Sequence, residues 1–176
     1  MPRLGSNLAE FKLLNTVSGN DFSSSELDKA KPSLIMFICN HCPYVIHYHD
    51  EIKRLAGDYA EILNMVAISS NDIENYPQDG PDKMSELWKD LGLSFPYLFD
   101  STQEIAKKYK AECTPEFYLF DSSQKLVYRG RLDESSPNSG LEPTGEDLRN
   151  AIENVLNNKD VNADQFPSMG CNIKWK

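Results

Sequence analysis

Apolar residues recur along the chain with two different periods, and these periods predict the order of strands and helices. The continuous apolar run from Leu34 to Ile38 has the length of a strand that is buried on both faces. From Val45 to Tyr59 the apolar residues recur every three or four positions, which predicts a helix with one buried stripe. Residues 62–69 (ILNMVAIS) return to a strand pattern. A strand–helix–strand unit of this kind implies a parallel sheet covered by helices.

The segments on either side of this unit extend the same α/β pattern. Residues 11–22 predict a short N-terminal hairpin. After the unit, residues 81–91 predict a helix that starts with proline, and residues 95–99 predict a short edge strand. Residues 101–104 (STQE) match a capping box, which would open a helix that continues through Tyr109.

The last third of the chain predicts a hairpin, a helix and a tail. Residues 117–120 and 126–128 are two short strands joined by a polar turn. Thr144 and Asp147 have the spacing of a helix cap, and the buried stripe of the last helix follows them. We therefore expect a tail to begin at residue 159.

Length and composition fit one globular domain. The 176 residues are 40% hydrophobic and 26% charged, and we expect a single domain over residues 1–176 with its core at about 30–158 and a tail at 159–176. The formal net charge of −9 at pH 7 would repel nucleic acid and anionic lipid, so neither is an expected partner. The longest apolar run is far shorter than the roughly 20 residues that span a bilayer. With no apolar signal core at the N-terminus, we expect a cytoplasmic protein.

Two of the four cysteines, Cys39 and Cys42, form a C-x-x-C motif directly after the predicted 34–38 strand. Four scattered cysteines are too few for a secreted disulfide scaffold, so a close pair indicates catalysis or metal binding. A thiol at the N-terminus of a helix meets free backbone N–H groups and the positive end of the helix dipole, which favour the thiolate. We expect Cys39 in this place as the nucleophile. Cys42 would then act as the resolving thiol.

His41 lies between the two cysteines and has the chemistry to assist them. A partly protonated imidazole would stabilise the Cys39 thiolate and transfer protons near neutral pH. The alternatives are an inert pair or half of a zinc site, because zinc sites use the same C-x-x-C spacing. The chain has no second C-x-x-C, and its three histidines all lie within residues 41–49. We therefore predict dithiol chemistry with no metal and no cofactor.

The order of predicted elements, the C-x-x-C motif and the Thr114-Pro115 pair together resemble the thioredoxin fold. The extra N-terminal hairpin and the central helix–strand insertion are similar to the redoxin branch of that fold, which includes peroxiredoxins and TlpA-type thiol oxidoreductases. This resemblance covers roughly residues 8–158. The stretches ICNHCPY, CTPEFYLFD and PSMGCNIKWK resemble proteins labelled peroxiredoxin-like or thioredoxin-family. The resemblance implies that Pro115 is cis, faces the cysteine pair and leaves a strand edge free to bind an extended substrate.

Four further residues are candidate auxiliaries of the site. Cys113 is either a third redox thiol or a buried structural cysteine. Cys171 lies in the tail, which has the reach to bring it to the cysteine pair, where it would resolve either thiol or simply pack. Many thioredoxin-like proteins also carry a buried acid that moves the proton of the resolving thiol. Glu116 and Asp72 are candidates for this role, with surface carboxylates as the alternative interpretation.

Three functions remain open. The first is a thiol–disulfide oxidoreductase that acts on protein or low-molecular-weight disulfides, with the thioredoxin system or glutathione as its reductant. The second is a peroxiredoxin-like peroxidase, whose peroxidatic cysteine aligns with Cys42. That family requires Thr or Ser three residues earlier and Pro seven residues earlier, where this chain has Cys39 and Ile35, and its arginine would fall near Pro115. The third is a binding module without turnover.

Overall fold

A mixed seven-stranded sheet forms the centre of the computed structural model, which describes all 176 residues. The strands are β1 (Lys12–Asn15), β2 (Asp21–Ser23), β3 (Ser33–Phe37), β4 (Asn64–Ser69), β5 (Tyr97–Phe99), β6 (Cys113–Thr114), β7 (Glu116–Phe120), β8 (Leu126–Gly130) and β9 (Cys171–Asn172). The helices are α1 (Pro43–His47), α2 (His49–Tyr59), α3 (Pro81–Leu91), α4 (Glu104–Tyr109) and α5 (Glu146–Leu156). The order in the large sheet is β2-β1-β5-β4-β3-β7-β8, and β6 pairs with β9 in a second, two-stranded sheet.

Strand β3 is the central strand on which the site is built. It pairs in parallel with β4 and antiparallel with β7. Leu34 and Met36 pack into the cluster on one face of the sheet, while Ile35 and Phe37 pack into the cluster on the other. The prediction of a strand buried on both faces is therefore confirmed. Burial of each such side chain contributes about 1.5–3 kcal/mol, which makes β3 a rigid support for the residues after it.

The helix predicted over residues 45–59 is divided into α1 and α2. The break lies at Tyr48, whose backbone leaves helical geometry at φ −95° and ψ 0°. The Tyr48 hydroxyl donates a hydrogen bond of 2.6 Å to the Ser135 carbonyl oxygen. Helix α1 is consequently only five residues long, and it lies directly beside the C-x-x-C motif.

Two predictions about β5 and α4 are wrong. Strand β5 is not an edge strand, because the N-terminal hairpin adds β1 to its outer side while β4 pairs with its inner side. The capping box at residues 101–104 does not form, because Gln103 takes a left-handed conformation (φ 65°) immediately before α4. The buried Asp100 carboxylate caps this helix instead, accepting from the backbone N–H groups of Ile105 and Ala106 at 3.3 and 2.9 Å.

The predicted cap of the last helix also differs in detail. Helix α5 begins at Glu146 after Gly145, whose φ of 68° is left-handed. Thr144 accepts from the Glu146 N–H at 3.3 Å, while Asp147 forms an ion pair with Arg131. The predicted Thr144–Asp147 cap is therefore wrong, although a helix does begin there.

The C-terminal tail folds back onto the body of the protein. Strand β9 pairs antiparallel with β6, so that Cys171 lies opposite Thr114. Ile173 is 3% exposed and belongs to the core cluster on the Phe37 face. Separately, no helix combines the length and the apolar character needed to cross a membrane.

Candidate active site

The loop between β3 and α1 places both cysteines of the motif at the end of the central strand. Residues 38–42 are not helical, and α1 begins at Pro43 with Cys42 as its N-cap. Proline favours the first helical position, because its missing N–H would have no partner there anyway. The prediction that Cys39 lies at the N-terminus of the helix is therefore wrong. The residue in that place is Cys42.

The Cys42 sulfur is fully buried, and most of the groups beside it favour its thiolate. The largest effect comes from the adjacent Cys39 thiol, and the Cys171 thiol and the backbone N–H groups of Val45 and Cys171 add to it. Burial opposes ionisation, but together these donors lower the pKa of Cys42 to about 4. One acceptor, the Thr114 carbonyl oxygen, lies 3.3 Å from the same sulfur. Because the effects that favour the thiolate outweigh burial, we assign the negative charge of the reduced pair to Cys42.

The Cys39 sulfur lies in a different electrostatic environment. It lies beside the Cys42 sulfur, the residue is only 1% exposed, and the Asp79 carboxylate lies nearby. These three effects, in that order of size, raise the pKa of Cys39 well above its usual value. The Thr114 hydroxyl lies 3.5 Å from the Cys39 sulfur and opposes this shift only in part. All four cysteines are free, so the structure describes the reduced pair.

A buried aspartate that the sequence analysis missed organises the loop. Asp79 is fully buried, and its carboxylate accepts from the backbone N–H groups of Asn40 and His41 at 2.8 and 3.2 Å. It also lies 2.5 Å from His41 Nδ1 and accepts from the Asn71 amide at 2.9 Å. The His41 ring is stacked on Tyr76. Asp79 therefore fixes both the backbone before Cys42 and the orientation of the His41 imidazole.

Thr114 and Pro115 lie where the resemblance predicts them. The Thr114–Pro115 peptide bond is cis, as predicted. Thr114 is buried and contacts both sulfurs of the motif, through its hydroxyl for Cys39 and through its carbonyl oxygen for Cys42. Their role in binding substrate stays a prediction. The neighbouring strand edge is not free, however, because β9 of the tail occupies it.

The two further cysteines differ in their relation to the pair. The Cys171 sulfur lies 2.8 Å from the Cys42 sulfur, and its side chain is only partly buried. Burial and the hydrogen bond to Cys42 raise the pKa of Cys171 to about 11. Burial first, and then the carboxylates of Glu116 and Glu112, raise the pKa of Cys113 to about 12. Cys113 makes no hydrogen bond to another sulfur.

The hydrogen bonds of the two candidate acids are made with groups other than the cysteine pair. Glu116 is buried, so the surface interpretation is wrong, but its carboxylate accepts from the Glu112 N–H at 2.9 Å. Because side chains alternate along β7, Glu116 lies on the face opposite Phe117, which packs with the cysteine pair. Asp72 is also buried and accepts from the Glu74 N–H and the Asn75 amide at 3.0 and 2.6 Å. These contacts do not support a proton-transfer role for the two acids, and that role stays a prediction.

One group of side chains has the composition of a metal site. The ligand atoms of Cys39, His41 and Asp79 all lie within 4.8 Å of one another. The 2.5 Å between His41 Nδ1 and Asp79 Oδ2 is a hydrogen-bond distance. Two ligands of one tetrahedral zinc ion stand about 3.3 Å apart, because each bond is about 2.0–2.1 Å long. These residues are thus arranged as a hydrogen-bonded pair beside a thiol.

The comparisons with known proteins agree with this fold. Residues 3–144 match the Redoxin family. No curated protein sequence matches the chain.

Two solved structures cover the whole chain. An uncharacterized conserved protein from Geobacillus kaustophilus is 48% identical, with 94% of its own length covered and a TM-score of 0.97. A hypothetical protein from Sinorhizobium meliloti is 42% identical, with 96% covered and a TM-score of 0.96. A secreted disulfide oxidoreductase from Mycobacterium tuberculosis is 17% identical over 81% of this chain and 94% of its own, with a TM-score of 0.62. The last of these supports the fold alone.

The low pKa of Cys42 predicts how stability depends on pH. Folded Cys42 loses its proton above about pH 4, whereas an unfolded cysteine does so near pH 8.5. Because the folded state binds fewer protons between these values, this stabilisation is complete above pH 8.5 and is lost as the pH falls towards 4. We expect Cys42→Ser to destabilise the reduced protein more at pH 8 than at pH 5, by on the order of 1–3 kcal/mol in urea unfolding.

The matched control is Cys113→Ser. The pKa of Cys113 is raised to about 12, so this residue is protonated in the folded state at both pH values, and the unfolded thiol, with a pKa near 8.5, is largely protonated as well. Its replacement should change the free energy of unfolding equally at the two pH values. An equal loss at both pH values for Cys42→Ser would contradict the assignment of the charge to Cys42.

Proposed function

The chain belongs to the redoxin family, and we propose that it is a thiol–disulfide oxidoreductase in which Cys39 and Cys42 cycle between a dithiol and a disulfide. The observation that carries the proposal is the unequal environment of the two thiols. Cys42 occupies the N-cap position of α1, where its neighbours lower its pKa, while Cys39 is buried near the Asp79 carboxylate, which raises its pKa. A stabilised thiolate next to a protonated thiol is the pairing that disulfide exchange requires.

The electrostatics favour roles opposite to those predicted from the sequence. Cys42 is the thiolate that attacks a disulfide sulfur, forming a mixed disulfide and releasing the first substrate thiol. Cys39 then attacks the Cys42 sulfur, closes the internal disulfide and releases the second thiol. The substrate is a protein or low-molecular-weight disulfide, and the thioredoxin system or glutathione returns the pair to the dithiol.

His41 and Asp79 support the resolving step. Cys39 must lose its proton to attack, and burial beside Asp79 makes that loss unfavourable. A ring nitrogen of His41 lies within 4.8 Å of the Cys39 sulfur, and Asp79 holds the ring in place. We assign to His41 the transfer of this proton and to Asp79 the orientation of the imidazole.

The assignment of roles is tested by trapping mixed disulfides with glutathione disulfide. Cys171 is replaced by Ser in both variants, so that no third thiol displaces the trapped species. We expect Cys39→Ser with Cys171→Ser to accumulate a glutathione adduct on Cys42, because no resolving thiol remains. Cys42→Ser with Cys171→Ser should accumulate at least tenfold less adduct on Cys39, measured by mass spectrometry after acid quenching.

The opposite pattern of adducts would restore the roles predicted from the sequence and reject ours. Cys113→Ser is the control for nonspecific effects, and it should reduce insulin disulfides at the rate of the wild type. A wild-type protein without any insulin-disulfide reduction would instead favour the binding module.

Peroxide reduction is the second candidate function, and the lowered pKa of Cys42 is the observation that favours it. A thiolate is the species that peroxide oxidises to sulfenic acid. However, a cysteine occupies the place of the Thr or Ser that the peroxiredoxin motif requires, and efficient catalysis needs donors that stabilise the departing oxygen. We expect hydrogen peroxide consumption, coupled to glutathione or thioredoxin recycling, to be within about tenfold of free cysteine. A rate a thousandfold higher would establish a peroxidase.

A further inference from the structure

The C-terminal tail of this protein is bound in the manner of a substrate strand. Strand β9 pairs with the edge of β6, and the pairing sets Cys171 opposite Thr114. Pairing of an extended segment with a free strand edge is a general mode of peptide recognition. Here the segment belongs to the chain itself, and it presents a thiol to the reactive pair.

Contacts on both sides of Cys171 fix the tail in this position. Gly170 packs against the Thr114 backbone so closely that a β-carbon at residue 170 would overlap the Thr114 carbonyl oxygen. On the other side, the Ile173 N–H donates to the Glu112 carbonyl oxygen at 3.0 Å, and the Ile173 side chain is buried. Further along, the Lys174 N–H donates to the Asn71 side chain at 2.9 Å. The tail is therefore built into the fold on both sides of its cysteine.

The position of Cys171 makes it the outermost of three neighbouring sulfurs. Cys39 and Cys42 are 1% and 0% exposed, whereas Cys171 is only partly buried. Its sulfur lies 2.8 Å from the Cys42 sulfur, which is about 0.8 Å more than the length of a disulfide bond. A reagent approaching from solvent meets Cys171 first, and Cys171 already touches the thiolate of the pair.

We propose that Cys171 is a third redox residue that forms a disulfide with Cys42 and relays disulfide exchange between the buried pair and external thiols. This inference rests on the proposed function of the pair. It assigns to the tail the faster route of access, because the docked β9 strand hinders direct exchange at the buried Cys42 sulfur.

The relay balances in atoms and electrons when it is written for reduction of the protein by an external thiol. The Cys171 thiolate attacks the Cys42 sulfur of the Cys39–Cys42 disulfide, and the electron pair of the broken bond leaves on Cys39. Cys39 takes up a proton, equivalent to the one that Cys171 lost, through His41. This step moves the disulfide outward without net oxidation or reduction.

The external thiolate then attacks the partly exposed Cys171 sulfur, and Cys42 leaves as a thiolate. A thiol of low pKa is a good leaving group, so attack on the Cys171 sulfur with departure of Cys42 is favoured. A second external thiolate attacks the mixed disulfide on Cys171, forms the external disulfide and releases Cys171, which takes up a proton. Overall, two external thiols are oxidised to one disulfide and the pair is reduced to a dithiol.

The experiment maps disulfides in the full-length chain after oxidation with glutathione disulfide and alkylation of the remaining thiols. Trypsin leaves Cys39 and Cys42 together on peptide 30–53 and Cys171 on peptide 160–174. In Cys39→Ser, a link between these two peptides joins Cys42 to Cys171. We expect this link in most of the oxidised Cys39→Ser protein. It should be absent when Cys171→Ser is added.

Gly170→Ala tests the role of the docked strand while it keeps all three thiols. We expect its added methyl group to displace β9 from Thr114. The yield of the Cys42–Cys171 link in the Cys39→Ser background should then fall at least fivefold. An unchanged yield would show that the docked strand does not bring the sulfurs together, and it would overturn the inference.

The rate of disulfide exchange with glutathione shows whether the relay or the proposed function has failed. We expect Cys171→Ser to slow exchange with glutathione at least tenfold, while Cys113→Ser leaves it unchanged. If wild type and Cys171→Ser exchange equally fast, the relay is wrong and the proposed function stands. If the wild type does not exchange at all but Cys39→Ser still forms the Cys42–Cys171 link, the third redox residue stands and the proposed function fails. Absence of the link in oxidised Cys39→Ser overturns the relay in either case.

Discussion

The position of one buried cysteine at the N-terminus of a short helix is the constraint on which the site depends. Pro43 starts α1, so the backbone N–H groups of its first turn are directed towards Cys42. A buried anion is costly unless donors surround it. The Cys39 thiol, the Cys171 thiol and two backbone N–H groups supply those donors. The chemistry of the pair follows from this unequal distribution of donors between two neighbouring sulfurs.

The rest of the fold holds these donors in place. Strand β3 is buried on both faces, so it fixes the position of the loop (residues 38–42) that carries the two cysteines. Asp79 accepts from two backbone N–H groups of the loop and holds His41, so a single carboxylate fixes both the backbone and the imidazole. Thr114 and the docked tail close the site from the opposite side. Since the tail supplies a donor to Cys42, access to the pair and ionisation of the pair are coupled.

Local sequence signals predicted the frame of the site but not its electrostatics. The apolar run of β3 identified a strand buried on both faces, because such burial leaves a continuous pattern, while β7 was predicted only as one strand of a hairpin. The C-x-x-C motif identified the pair, and Thr114-Pro115 identified the loop that faces it. The place of the helix start was missed, although Pro43 gave a usable signal, since proline favours the first helical position. Alternation along β7 likewise contained the information that Glu116 lies opposite Phe117.

Other features depend on contacts between distant segments and leave no local pattern. Asp79 precedes Gly80-Pro81, where the sequence indicates only a turn before a helix. Its contacts with Asn40 and His41 arise from the packing of two loops. The pairing of β9 with β6 joins residues 113 and 172, and only three-dimensional structure shows it.

The most direct test of this account is the titration of Cys42 itself in the fully reduced protein. Carbon-13 labelling of the cysteine β-carbons, with assignment by single serine variants, follows each thiol by NMR between pH 4 and 10. We predict that Cys42 titrates below pH 6, while Cys39 shows no titration below pH 9. A Cys42 midpoint near 8.5, or ionisation of Cys39 before Cys42, would contradict it.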